Sequence, residues 1–87
     1  MKMIIVIIKD SDAESVTQAL TANDFRVTRI ASTGGFLRSG VVTLLIGVSD
    51  ERVDAGIQVI REHLGESDSN ESRATLFVVP VQRFEQV

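Results

Sequence analysis

The stretch FRVTRIASTGGFLRSG, Phe25–Gly40, lies near the centre of the chain and joins two segments that predict consecutive β-strands. Its first part, Phe25–Ser32, is rich in the branched and aromatic side chains that favour strands. A loop over Thr33–Ser39 follows, and the almost wholly apolar run Gly40–Val48 predicts the next strand. The centre of the fold is therefore expected to be two successive strands with no helix between them.

On the N-terminal side, a buried strand and a helix precede this centre. Met3–Lys9 is continuous and β-branched, which is typical of a central strand covered on both faces. Ser11-Asp12-Ala13-Glu14 has the spacing of a capping box, so a helix is expected to begin there and to end near Asn23. Its apolar stripe consists of Ala13, Val16, Ala19 and Leu20.

On the C-terminal side, the pattern predicts a second helix and a last strand. Ser49 or Asp50 is expected to cap the helix, and Gly65 suits the position just after its end. The final strand is predicted over Arg73–Val79, ended by Pro80. The stripe of the second helix is Val53, Ile57, Ile60 and Leu64.

The predicted order is β-α-β-β-α-β, which indicates an α+β, ferredoxin-like fold over a single domain, residues 1–87. Right-handed crossovers place both helices on one face of a four-stranded antiparallel sheet of order 4-1-3-2. The other face is left uncovered, although the first and third strands are apolar on both faces. An uncovered apolar face indicates an interaction surface, so several copies are expected to pack together.

Composition excludes several classes of protein. The 87 residues contain no cysteine and one histidine, which excludes disulfides and argues against a structural zinc site. The net charge of −3 argues against a general nucleic-acid binder. The apolar run Met3–Ile8 is too short for a signal peptide or a membrane span, so a cytoplasmic location is expected.

The central loop carries the strongest functional signal. The adjacent glycines of Ser32-Thr33-Gly34-Gly35 allow a tight turn whose amides suit phosphate, and Phe36 offers a flat face for a base. Arg26, Arg29 and Arg38 surround the loop with positive charge. This combination predicts a nucleotide-binding loop; a plain hairpin loop with solvated arginines is the alternative.

Several residues outside the central loop have simpler interpretations. Gly47 interrupts a β-branched strand, which indicates a bulge or the close approach of another group, such as the edge of a base. His63 in the last turn of the second helix suits the helix dipole. Asp50, Glu51 and Asp54 suit the acidic start of a helix better than a metal site. No catalytic constellation is indicated.

These residues resemble the PII-like cyclic di-AMP receptor proteins of bacteria over nearly the whole chain. The segments that carry the resemblance are Phe25–Gly40, Leu44–Asp54 and Ala74–Gln86. The resemblance implies a homotrimeric, non-catalytic signal receptor that binds the dinucleotide between neighbouring subunits and passes the signal to an unidentified protein partner. It implies that the protein needs no cofactor or metal and binds neither a membrane nor a nucleic-acid polymer.

The resemblance also implies the site residues. Arg26 would face phosphate, Thr28 and the Gly47 backbone would contact an adenine edge, and Phe36 would stack on a base. The full implied set is Arg26, Thr28, Gly35, Phe36, Leu37, Gly47, Phe77 and Gln86.

Three departures from the family pattern bear on binding. Val41 stands where the family usually has asparagine, and Asp24 stands where many members have asparagine or glycine. Residues 65–72 form a connection roughly twenty residues shorter than the usual loop, whose closure cost changes slowly with length. Val41 and Asp24 predict weaker binding than is typical of the family. The missing part of the loop is the part that the resemblance expects to signal to a partner, so the short connection predicts no large rearrangement beside the ligand.

Other functions of the same topology stay open at this point. A PII-like protein that binds another adenine nucleotide, or none, is the first alternative. A small ferredoxin-like enzyme such as an acylphosphatase is the second, but it needs a phosphate loop after the first strand, where this chain has the acidic Lys9-Asp10-Ser11-Asp12. An RNA-recognition fold needs aromatic residues on the first and third strands, and these strands have none.

Overall fold

A computed structural model describes residues 1–30, 40–65 and 73–87. The strands are β1 (Lys2–Lys9), β2 (Arg26–Ile30), β3 (Val41–Val48) and β4 (Ala74–Pro80); the helices are α1 (Asp10–Ala22) and α2 (Val53–Glu62). A short 3-10 turn, Asp50–Arg52, precedes α2. The predicted loop Thr33–Ser39 lies outside the described residues, as do residues 66–72 of the short connection.

The four strands form one sheet of order β2-β3-β1-β4 in which every pair is antiparallel. The expected ferredoxin-like order and topology are confirmed. The register pairs Ile4 with Ile46 on β3 and with Val78 on β4, while Val27 on β2 pairs with Ile46. In the described part of the chain, neither helix is long and apolar enough to cross a membrane.

The core lies between the helices and one face of the sheet. Alternate side chains of β1 and β3 point into it, because successive residues of a strand face opposite sides. Gly56 of α2 lies close to the sheet: a Cβ there would stand 3.1 Å from Ile4 Cδ1 and 3.4 Å from Phe25 Cε1. The buried apolar residues are Ile4, Val6, Ile8, Ala13, Val16, Leu20, Phe25, Val42, Leu44, Ile46, Val48 and Ile60.

The predicted capping box of α1 is wrong. The helix begins at Asp10, directly after β1, and Lys9 is its N-cap without a side-chain capping bond. The Asp10 N–H instead donates to Gly40 O at 2.6 Å, which holds the start of the helix against the start of β3. Asp10 and Asp12 place negative charge in the first turn, where it favours the helix dipole.

The ends of α2 also differ from the expectation. Ser49 is the N-cap residue of the 3-10 turn, but its side chain makes no capping hydrogen bond. α2 itself begins at Val53. At the other end His63 is the C-cap, so Gly65 lies beyond the position expected for it. The Gly65 N–H donates to Asp12 Oδ1 at 3.2 Å and ties the end of this region to α1. The predicted apolar stripe is confirmed, since Ile60 is buried and its other members pack on the core.

The turn between α1 and β2 is held by a group from elsewhere in the chain. Asp24 has a φ of 65°, the left-handed region that glycine and asparagine adopt most readily. Arg52 Nη2 donates to Asn23 O at 2.8 Å and Nη1 to Asp24 O at 3.4 Å. The same guanidinium lies 4.0 Å from the centre of the Phe25 ring. Arg52 thereby fixes the point at which β2 begins.

Candidate functional site

The uncovered face of the sheet brings together the polar residues of β2 and the strands beside it. Val27 packs towards the core, so its neighbours Arg26 and Thr28 face the other side. The register sets Arg26 beside Gly47 and Thr28 beside Leu45, with β1 next in the sheet. We call this side of the sheet the open face.

A cleft of about 240 Å³ lies at one end of the open face. Its floor comes from β1, β2 and β3, and its remaining wall comes from the segment after β4. That segment is tied down where the Val81 N–H donates to Met1 O at 3.0 Å. The cleft is lined by Met1, Met3, Arg26, Thr28, Leu45, Gly47, Val81, Phe84 and Gln86.

The chemistry of the cleft suits an anion that carries a flat, weakly polar group. Arg26 presents a guanidinium, a planar donor that matches phosphate oxygens. Thr28 and Gln86 add a hydroxyl and an amide, while the methionines and Phe84 form apolar walls. Across residues 1–30, 40–65 and 73–87, no carboxylate lies within salt-bridge distance of Arg26. Its charge is therefore available to a ligand with respect to these residues.

Gly47 places no side chain of its own in the cleft, and the Met1 side chain lies over it. A Cβ at this position would stand 3.0 Å from Met1 Cε, so any side chain would have to displace that methionine. The Met1 amino group lies 3.0 Å from Asp50 Oδ1, and this contact holds the start of the chain beside Gly47. The hydrogen bond from that amine, assisted by the charge of Lys2, lowers the pKa of Asp50 below its usual value.

Phe77 shares the open face but does not line the cleft. It pairs with Ile5, which pairs with Leu45, which pairs with Thr28. Three strand spacings therefore separate Phe77 from Thr28, or about 14 Å. The side chain of Phe77 is 52% exposed. Arg26, Thr28, Gly47 and Gln86 thus lie together within one subunit, whereas Phe77 lies at the far edge of the same face.

The central loop residues Gly35, Phe36 and Leu37 lie outside the described residues, as does Arg38. Arg29 is described, and it is not beside the cleft. It lies on the helix side of β2, where its Nη2 donates to Asp10 Oδ1 at 2.8 Å. Arg29 therefore adds no charge to the cleft, because its strand position turns it to the face opposite Arg26.

Asp24 lies in the turn between α1 and β2 and is not among the described residues that line the cleft. Its left-handed backbone explains why asparagine or glycine is suited to this position. Val41 begins β3 opposite Lys9 at the other end of the sheet. Gly40 beside it has a φ of 86°, which requires a glycine at the base of the loop.

Sequence reasoning missed the apolar half of the cleft. Met3 and Leu45 could be assigned to the open face by alternation along their strands, but their place beside Arg26 depends on the register. Phe84 stands out as the one large apolar residue in a polar tail, which is a weak signal. Nothing in the sequence indicates that Met1 covers Gly47. Within the described ranges, no group of three or more histidine or acidic residues could hold a metal ion.

Comparison with known proteins bears on the fold and the family of the chain. A solved structure with the same fold is that of a functionally unknown protein from Pediococcus pentosaceus ATCC 25745. The two sequences are 30% identical, the match covers 99% of this chain and 96% of that one, and the TM-score is 0.80. The pattern of the cyclic-di-AMP receptor family matches residues 1–69, which include β1, β2, β3 and both helices. The chain belongs to the cyclic-di-AMP receptor family.

Proposed function

We propose that this chain is a non-catalytic, PII-like signalling protein that forms a homotrimer and binds cyclic di-AMP in clefts between neighbouring subunits. Membership of the cyclic-di-AMP receptor family supports cyclic di-AMP as the ligand. One observation carries the proposal: the cleft that contains Arg26 and Thr28 lies on the sheet face that the helices of its own subunit leave uncovered. A ligand in this cleft would therefore lie at the surface where a second subunit packs.

The open face has the composition of a subunit interface. Ile5, Ile7 and Leu45 are only partly buried there, and Phe77 is largely exposed. Apolar residues adjacent on three strands make a continuous patch, which a soluble monomer rarely exposes to water. Packing this face against other copies also supplies stability that a small domain without disulfides needs.

The cleft is too small to enclose the ligand alone. Its volume of about 240 Å³ is below the roughly 300–1,000 Å³ of pockets that enclose a drug-sized molecule. A cyclic dinucleotide has two bases and two phosphates, so much of it would extend beyond this cleft. Phe77, at the far edge of the open face, is suited to complete the cleft of a neighbouring copy. In this proposal Gly35, Phe36 and Leu37 of the central loop complete the other side.

Recognition would be reversible, with no bond made or broken, in a cytoplasmic protein. The chain would be one PII-like domain, residues 1–87, and residues 65–72 would serve as a short connection. Arg26 would bind phosphate, and Thr28, Gly47 and Gln86 would contact the polar edge of an adenine. Strand β4 and the residues after it, 81–87, lie beyond the matched residues 1–69. The proposed roles of Phe77 and Gln86 therefore rest on the geometry and on the resemblance.

Isothermal titration with cyclic di-AMP, ATP and AMP in parallel tests the ligand. We expect heat of binding with cyclic di-AMP and much weaker binding of the mononucleotides. Tighter binding of ATP or AMP would favour a PII-like protein for another adenine nucleotide. Absence of binding for all three would reject the receptor function for this chain.

Light scattering tests the assembly, and we expect three times the subunit mass. Ile5→Lys places a charge in the middle of the open face, so it should dissociate the trimer and abolish cyclic di-AMP binding. Thr21→Lys on the exposed side of α1 is the matched control and should change neither. A wild-type monomer that binds cyclic di-AMP tightly would overturn the intersubunit site.

A further inference from the structure

The segment after β4 places one aromatic ring in the cleft. The Val81 N–H donates to Met1 O at 3.0 Å, and this hydrogen bond holds the start of the segment beside the first residue of the chain. Phe84 lies three residues further on and lines the cleft together with Arg26 and Thr28. A flat apolar ring therefore stands in the same hollow as the guanidinium that is suited to phosphate.

Side chains alternate between the two sides of this segment. Phe84 and Gln86 line the cleft, whereas their neighbours Arg83 and Glu85 are not among the described residues that line it. Arg83 Nε donates to Glu85 Oε1 at 2.8 Å, and both side chains are largely exposed to solvent. Successive residues of an extended backbone face opposite sides. The segment therefore turns its aromatic ring and its amide towards the cleft and its ion pair away from it.

The ring of Phe84 is only partly covered by its own subunit. Phe84 is 58% exposed, whereas Phe25 is buried in the core. Phe77 is also exposed, but it lies about 14 Å from Thr28 at the far edge of the open face. Ligand sites typically combine aromatic side chains with a small number of polar groups. Of the phenylalanines that the structure describes, Phe84 is the one placed to meet a ligand on Arg26 of the same subunit.

We propose that Phe84 stacks on a base of the ligand in the cleft of its own subunit. The base would present its polar edge to Thr28 and Gln86, with the attached phosphate on Arg26. Every base has a π-face, so stacking on Phe84 would supply affinity, and the polar side chains would select the base. This role rests on the proposed receptor function and deepens it, because the site residues implied by the resemblance do not include Phe84.

Two substitutions of Phe84 separate stacking from simple apolar contact. Phe84→Leu keeps an apolar side chain without a π-face, so calorimetry should show about tenfold weaker binding of cyclic di-AMP or more. Phe84→Trp keeps an aromatic ring and should bind nearly as tightly as the wild type. The chain contains no other tryptophan, so we expect cyclic di-AMP to quench the fluorescence of the introduced one. Gln82→Leu, at an exposed position of the same segment, is the matched control and should leave the affinity unchanged.

The other outcomes are distinct. Light scattering should give Phe84→Leu the same mass as the wild type; a smaller assembly would show that Phe84 packs on a neighbouring subunit and would overturn the stacking role. Equal affinity of Phe84→Leu and the wild type, or an introduced tryptophan that the ligand does not quench, would overturn it while leaving the receptor function intact. Absence of binding to the wild type would reject the receptor function itself, and the stacking role with it.

Discussion

Arg26 and Arg29 lie three residues apart on β2 and point to opposite faces of the sheet. Arg26 lines the cleft on the open face, whereas Arg29 forms an ion pair with Asp10 at 2.8 Å on the helix side. An odd spacing in a strand always separates two side chains in this way. The pair therefore offers two equal charges on one short strand, only one of which faces the proposed ligand.

Arg26→Ala should weaken cyclic di-AMP binding by about ten- to a hundredfold, because a charge-assisted contact is worth roughly 1.5–3 kcal/mol. Arg29→Ala is the matched control: it should leave affinity unchanged and lower stability by at most about 1 kcal/mol, as expected for an exposed ion pair. Calorimetry gives the affinities, and thermal unfolding checks both folds. If the two variants bind equally well, phosphate recognition by Arg26 is wrong.

Asp24→Gly should stabilise the fold by about 0.5–1 kcal/mol. A left-handed backbone costs a non-glycine residue about 1–2 kcal/mol, and the greater freedom of glycine in the unfolded chain offsets part of the gain. Asn23→Gly is the matched control, since Asn23 has a φ of −101° and gains nothing from glycine. Urea unfolding measures both. A loss of stability in Asp24→Gly would show that its side chain, and not its backbone, matters at this turn.

Arg52→Ala should lower the free energy of unfolding by about 1–2 kcal/mol, since it removes two hydrogen bonds to carbonyls and the contact with the Phe25 ring. A double-mutant cycle with Phe25→Leu should show a coupling of about 0.5–1 kcal/mol. Arg61→Ala, an exposed arginine of α2, should change stability by less than about 0.5 kcal/mol. Zero coupling in the cycle would argue that the arginine acts only through the carbonyls.

Gly56→Val should destabilise the protein by about 1–3 kcal/mol, because the larger side chain would meet Ile4 and Phe25 in a packed layer. Ile4→Val removes the Cδ1 atom that stands nearest, so Gly56→Ala in that background should gain about 0.5–1 kcal/mol of helix propensity. Chemical unfolding of the single and double variants measures these differences. Equal effects of Gly56→Ala in both backgrounds would contradict the close contact with Ile4.

The pKa of Asp50 should lie below its usual value, because the Met1 amine donates a hydrogen bond to the carboxylate and Lys2 adds positive charge. A carboxyl with a lowered pKa in the folded state adds stability above its unfolded pKa, and this contribution is lost as the pH falls through the folded pKa. NMR titration of the Asp50 carboxyl should show this. Lys2→Ala should move the pKa part of the way back, because the hydrogen bond from the Met1 amine remains. An unchanged value in Lys2→Ala would rule out a contribution from Lys2.

Local patterns account for most of the fold. The unbroken apolar runs of β1 and β3 and the stripe Val53, Ile57, Ile60 and Leu64 each lie within about ten residues, and their period is set by the geometry of a strand or a helix. The element order and the sheet order followed from these patterns. The ends of the helices were less predictable. α1 begins at Asp10 because β1 leads directly into it, and the capping sequence at Ser11 does not set the start.

The fold, the family and the residues Arg26, Thr28, Gly47 and Gln86 can be predicted from the sequence, although the role of these residues in binding is still a prediction. The folded chain is needed to show that these four meet, that Phe77 lies three strands from Thr28, and that Met1 covers Gly47. Strand register and the path of the tail depend on contacts between residues far apart in the chain. No local period encodes such contacts, so the folded sheet alone places Arg26 beside its neighbours and turns Arg29 away.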